Sequence, residues 1–232
     1  MRHLPGVAVG DGFRRLGSAS MRVWVIVLGG GGGARFGGAK QFADLGGRSL
    51  LAHSVAGAAG VADGVVVVVP GGTEPRDLPA IEGKLLVAPG GPHRAASVRS
   101  GLAAVPADAD VIVVADAAHP LASAALFAAV VGAVRAGAGG ALPGLPLSEV
   151  IATVDAQGTR TGGLPREGHV LVQTPQAFRA RLLRAAHATG TDGVEDSSMV
   201  ATLGALVVVV PGDPRNLHVT TPAELELARR LV

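Results

Sequence analysis

Val23–Leu28 (VWVIVL) is an unbroken apolar run, rich in β-branched residues, that opens directly into five glycines, Gly29–Gly33. A strand whose residues do not alternate between apolar and polar must be covered on both faces. A chain organised around it therefore needs helices above and below a mostly parallel sheet. Just after such a strand, glycines let backbone N–H groups approach a phosphate chain, because no Cβ stands in the way.

The remaining pattern repeats this theme. Ser49–Ala59 carries apolar residues at helical spacing and ends at Gly60. Gly64–Val69 (GVVVVV) is a second buried strand stopped by Pro70 and Gly71, Lys84–Val87 a shorter third, and Val111–Ala115 a fourth. Helices are predicted over Ala95–Ala104 and Ser123–Ala136. Val150–Val154 and Val170–Val172 read as strands flanking a glycine-rich turn, Arg179–Ala188 as a helix, and Leu206–Val210 as a last core strand. Pro222–Leu231 reads as a closing helix, with Thr221 at its N-cap and Glu224 three residues on, the pattern of a capping box. The expectation is one α/β domain over residues 21–232, with residues 1–20 a mobile extension and Met21 a candidate true start.

Composition removes several classes of function. With 20 basic and 18 acidic side chains the chain is nearly balanced. Its pI of about 9.9 reflects arginine's high pKa rather than a large positive excess, so coating of nucleic acid is not expected. No cysteine is present, which rules out disulfides and thiolate zinc sites and leaves a cytoplasmic location as the default. The longest apolar stretch, Ala124–Leu142, is interrupted by Arg135 and by glycines, so no membrane span is predicted. Only Lys40 and Lys84 are lysines, which makes a lysine in a loop conspicuous.

Two standard glycine patterns can be tested on the first loop. The Walker pattern fails, because no Gly-Lys-Ser/Thr comes after the glycines. The dinucleotide pattern is met in form by Gly29, Gly31 and Ala34, but the second strand ends in Pro-Gly-Gly rather than in an acid for a ribose hydroxyl, which disfavours NAD. The segment after the glycines is more specific: Arg35 and Lys40 lie five residues apart on one loop, and two cations beside a glycine cradle suit nucleotidyl transfer, where charge builds on the phosphates.

With its G-x-G-x-R-spacer-K-Q loop, the chain resembles the alditol-phosphate cytidylyltransferases, best represented by the 2-C-methyl-D-erythritol 4-phosphate cytidylyltransferase family. Four further segments are similar to that family's motifs, in order: Gly90–Val98 (GGPHRAASV), Val114–Pro120 (VADAAHP), Gln173–Phe178 (QTPQAF) and Arg215–Pro222 (RNLHVTTP). Asp192–Ser198 is similar to the family's acidic segment, although Glu195 and Asp196 alone read as a solvated pair at a helix start. The resemblance runs from Val23 to Val232. It implies the nucleotide-diphospho-sugar transferase fold and transfer of CMP from CTP to 2-C-methyl-D-erythritol 4-phosphate with release of pyrophosphate. It also implies Mg²⁺ as cofactor and a homodimer whose arm, residues 147–172, reaches into the partner's site. By the same resemblance Arg35 and Lys40 are catalytic, and Gly29, Gly30, Gly31, Gly33, Gly91, Arg94, Ser97 and Asp116 bind the nucleotide. His119, Glu149, Thr174 and His218 would meet the acceptor, and Asp116 and Asn216 the metal.

The departures fall on the acceptor side. His119 stands where the family has Arg, His218 where it has Lys, and Val150 and Ala152 where it has Thr and Lys, with Glu149 replacing Asp. A histidine is only partly protonated near its ordinary pKa of ~6.5, so acceptor binding is expected to be weaker and more pH-sensitive, strongest at lower pH. Two alternatives stay open: another alditol phosphate such as ribitol 5-phosphate, and a weakly active paralogue that only binds nucleotide.

Overall fold

The computed structural model describes residues 21–33, 36–73, 83–188, 190 and 195–232. Its strands and helices, in chain order, are β1 (Val23–Leu28), β2 (Asp44–Leu45), β3 (Arg48–Ser49), α1 (Leu50–Ala59), β4 (Gly64–Val69), β5 (Lys84–Pro89) and α2 (Arg94–Ala104). Next come β6 (Val111–Asp116), α3 (Ala124–Arg135), β7 (Gly140–Pro146), β8 (Ile151–Val154), β9 (Arg160–Leu164), β10 (Val170–Val172), β11 (Gln176–Arg179), α4 (Ala180–Ala188), α5 (Asp196–Ala201), β12 (Val207–Pro211) and α6 (Pro222–Arg229).

The central sheet runs β10-β7-β11-β6-β1-β4-β5, with β12 paired in parallel to β7. Strands β5, β4, β1 and β6 are parallel neighbours, while β11 is antiparallel to both β6 and β7, and β10 is antiparallel to β7. The sheet is mostly parallel, as expected, and differs from the expectation in the antiparallel pairings of β11 and β10. The difference lies in β7 and β11: the glycines and prolines of GALPGLP hide a strand, and Gln176–Arg179 is too short to show a period.

Alternation inside β1 explains why six apolar residues in a row are needed. Val23, Val25 and Val27 pack with Leu51 and Val55 of α1 and with Phe127, Val130 and Val134 of α3. Trp24, Ile26 and Leu28 pack on the other face with Val98 and Leu102 of α2, Leu183 of α4 and Val200 of α5. Both faces are dry, and every residue of β1 and β4 is buried. A third cluster, Leu45, Leu50, Val219, Leu225 and Ala228, fastens α6 beside the hairpin β2–β3. Its helix starts on the expected capping box, with Thr221 accepting from the Glu224 N–H and the Glu224 side chain bonding back.

Residues 147–172 stand apart from this packing. Strands β8 and β9 form their own antiparallel hairpin, with a register shift between Thr153 and Val154. Every residue of β8 and β10 is exposed, including Val154 and Leu171.

Candidate active site

The loops after β1, β5 and β6 meet at the carboxyl ends of their strands, where open α/β sheets bind ligands. They enclose a cleft of about 370 Å³, within the range of small-molecule sites. Its geometry depends on glycine at specific points. The Cα atoms of Gly30 and Gly90 are packed so closely that a Cβ on either would come within 2.9 Å of the other's Cα. Gly31 and Gly32 line the cleft and face open space, so side chains there would occupy the room left for a ligand. Gly33 does not line the cleft; it sits at φ +65°, and its carbonyl accepts from the N–H groups of Phe36, Gly37 and Gly38. It shapes the loop rather than the cradle.

Lys40 begins the short 3₁₀ turn Lys40–Phe42, lines the cleft and donates from Nζ to the Val219 carbonyl at 2.9 Å. Val219 is itself tied back by its N–H to the Ala118 carbonyl, so Lys40, the loop after β6 and the approach to α6 form one connected wall. Arg35 lies outside the described residues.

Opposite stand Arg94, Ser97 and Gly91. Ser97 Oγ accepts from the Gly91 N–H at 3.0 Å, closing the loop over the start of α2. The Arg94 Nε lies 3.5 Å from Asp116 Oδ1, and its Nη1 donates to Asp196 Oδ2 at 2.6 Å. Burial works against the Arg94 cation, but Asp116 and Asp196 outweigh it and raise its pKa. Asp196 is 1% exposed and accepts from His187 Nε2 at 2.9 Å. Burial alone would raise the Asp196 pKa, yet the His187 hydrogen bond and Arg94 hold it below its ordinary value. The reading of Asp196 as a solvated helix-start residue is therefore corrected: it is a buried ion-pair partner of a cleft residue. Sequence could not reveal this, because Arg94 and Asp196 are 102 residues apart.

Asp116 ends β6 in the cleft, and its N–H donates to Thr174 Oγ1. Thr174 is buried behind it, just before a cis peptide bond to Pro175, and its carbonyl accepts from Asn216 Nδ2. Asn216 does not line the cleft; its Oδ1 is buried with no hydrogen-bond partner. Gln173, which opens the QTPQAF segment without a role assigned to it there, clasps the same region by bonding both the N–H and carbonyl of Asp213 and the Asn216 carbonyl. Gln41, the glutamine that closes the K-Q pair of the first loop, has its buried Nε2 in the cleft wall without a hydrogen-bond partner.

His119 and His218 stack with ring centroids 4.7 Å apart and planes within 7°. His218 lines the cleft, while His119 is buried with Nδ1 3.2 Å from the Asn216 carbonyl, which fixes Nδ1 as the protonated nitrogen. Burial first, and then the neighbouring His218, push the His119 pKa down to about 4 against the opposing pull of Asp116. The expectation of a partly protonated histidine near neutral pH is corrected at His119, whose burial favours the neutral ring. Glu149 is exposed and away from the cleft lining. Among the described residues no cluster of three or more His, Asp or Glu gathers as a metal site, and no helix is long and apolar enough to cross a membrane.

A glycine-walled cleft at the strand ends, faced by a lysine, an arginine and an aspartate, places this chain among the α/β nucleotidyltransferases, and comparison with known proteins narrows that class. The model of the 2-C-methyl-D-erythritol 4-phosphate cytidylyltransferase family matches residues 23–232, and the chain belongs to that family. A protein of that name from Rhodococcus jostii (strain RHA1) is 42% identical over 197 residues, covering 83% of this chain and 86% of its own. Another from Nocardia farcinica (strain IFM 10152) is 41% identical over 217 residues, covering 90% and 94%. The crystal structure of the 2-C-methyl-D-erythritol 4-phosphate cytidylyltransferase from Thermus thermophilus superposes with a TM-score of 0.77 at 34% identity, over 91% of this chain and 98% of that one. The chain is thus an enzyme, a nucleotidyltransferase of the cytidylyltransferase kind.

Proposed function

We propose that the chain transfers CMP from CTP to 2-C-methyl-D-erythritol 4-phosphate, releasing pyrophosphate. The observation that carries this reading is the convergence of the open glycine cradle, Lys40 and the Arg94–Asp116 pair in one cleft. The backbone of Gly29, Gly30 and Gly31 would cradle the phosphates, with Gly91 and Ser97 bounding the nucleoside end. Lys40 lines the cleft, and with Arg35 it would stabilise charge on the α-phosphate. The acceptor's phosphate oxygen attacks the α-phosphorus in line; that P–O bond forms as the bond to the β-phosphate breaks, and pyrophosphate carries away the electron pair. Positioning and electrostatics suffice, with no covalent intermediate.

Mg²⁺ fits the site's chemistry, because it binds through one or two carboxylates plus substrate phosphates, and Asp116 offers a part-exposed carboxylate beside the cradle. Bound there it would neutralise phosphate charge. Asn216, set behind Thr174, is better suited to holding this wall than to meeting the ion. His218 would bound the acceptor end, with Thr174 set behind Asp116. The exposed apolar residues of 147–172 suit a second subunit, whose site Glu149 would approach.

A second acceptor, such as ribitol 5-phosphate, is raised by one observation: the acceptor side departs from the family, with a buried His119 of lowered pKa where the family has Arg. The test is substrate profiling of pyrophosphate release from CTP and Mg²⁺. Release dependent on methylerythritol phosphate supports the primary reading; release with ribitol 5-phosphate alone moves the assignment to that acceptor.

A further inference from the structure

Arg94 reaches the cleft from the first turn of α2, and the groups behind it form a buried line. The Asp196 side chain, at the first position of α5, binds Arg94 Nη1 through Oδ2 at 2.6 Å and His187 Nε2 through Oδ1 at 2.9 Å. Asp196 and His187 are 1% and 3% exposed. A buried carboxylate is costly to desolvate, and well-packed apolar side chains of similar volume stabilise a fold at least as well. The packing of α2, α4 and α5 on β1 is already secured by Val98, Leu102, Leu183 and Val200. What this line does that apolar packing cannot is fix a plane. With Nη1 held at the back and Nε 3.5 Å from Asp116 at the front, the guanidinium keeps one orientation at the wall where the phosphates would lie.

We propose that Asp196, oriented by His187, is a positioning residue that holds the Arg94 guanidinium in its nucleotide-binding orientation. The inference rests on the proposed use of CTP. Arg94 touches the nucleotide; Asp196 and His187 act through it, so removing them costs nucleotide binding and leaves the acceptor end alone.

The experiment is a double-mutant cycle on steady-state pyrophosphate release, with calorimetric CTP binding and melting temperature recorded for each variant. Asp196→Asn raises KM for CTP about tenfold and leaves KM for the acceptor within about twofold. In an Arg94→Gln background the same change adds less than about twofold, because the orienting partner has nothing left to orient. His187→Gln, a milder change, raises KM for CTP about threefold and serves as the deciding variant should Asp196→Asn fail to fold. Equal increments from Asp196→Asn in both backgrounds, or a folded His187→Gln with unaltered KM and CTP affinity, overturn the inference while the functional reading stands. A wild-type enzyme that neither binds CTP nor releases pyrophosphate from it overturns the reading, and the inference with it.

Discussion

The nucleotide cleft and the arm of residues 147–172 are built on opposite terms. Around the cleft, β1, β4 and β6 bury nearly every side chain, and each glycine loop is fixed by the strand before it. In the arm, β8 and β10 bury none, and Val150, Val154 and Leu171 are more than half exposed. Apolar exposure of that kind marks a surface made for a partner. The first region is packed within one chain, and the second leaves its apolar side chains uncovered. Under the proposed function, catalysis sits in the packed half and assembly in the exposed one.

This division can be broken at several points, the largest effect first. Replacing Lys40 by Ala removes a cleft cation without opening the core, so turnover falls by about 100-fold or more while the melting temperature stays nearly unchanged. Near-normal turnover in that variant removes the cleft from the chemistry. Gly30→Ala sets a Cβ against the Gly90 backbone; about 1–3 kcal/mol of stability is lost on denaturant unfolding, together with CTP affinity. An unaffected variant would mean that the two loops do not pack as described.

Leu171→Asp tests the other half. Sedimentation of the wild type gives a dimer and that of the variant a monomer with an unchanged circular dichroism spectrum; a wild-type monomer ends the assembly reading. The last effect is pH dependence, read on stability alone. His119 has a folded pKa of about 4, below the ordinary 6.5, so the unfolded chain takes up the proton first. Its contribution is fully present above about pH 6.5 and is lost as pH falls through 4, on the order of 3 kcal/mol. His119→Asn flattens the stability profile between those values, whereas an unchanged slope assigns the acid sensitivity to other groups.

Legibility in the sequence follows the same division. The uninterrupted Val/Ile strands announce themselves, and every helix expected among the described residues falls within two residues of its place, because capping residues and apolar spacing are local signals. Thr221 and Glu224 form the capping box their spacing suggests. The strand β7 does not show, since its glycines and prolines mimic a loop while its burial comes from β11 and β12 beside it. Within the site, the glycine cradle, Lys40, Arg94 and Asp116 are readable as motif residues. The Asp196–His187 pair behind Arg94 and the stacking of His119 on His218 are not, because each joins side chains brought together only by the fold.

The transfer itself is tested most directly by phosphorus NMR of the enzyme with CTP, Mg²⁺ and methylerythritol phosphate. The expected spectrum gains a new diphosphate linkage and free pyrophosphate in equal amounts as CTP and acceptor disappear together. Unchanged CTP, or its loss to CMP and pyrophosphate with the acceptor intact, would contradict it.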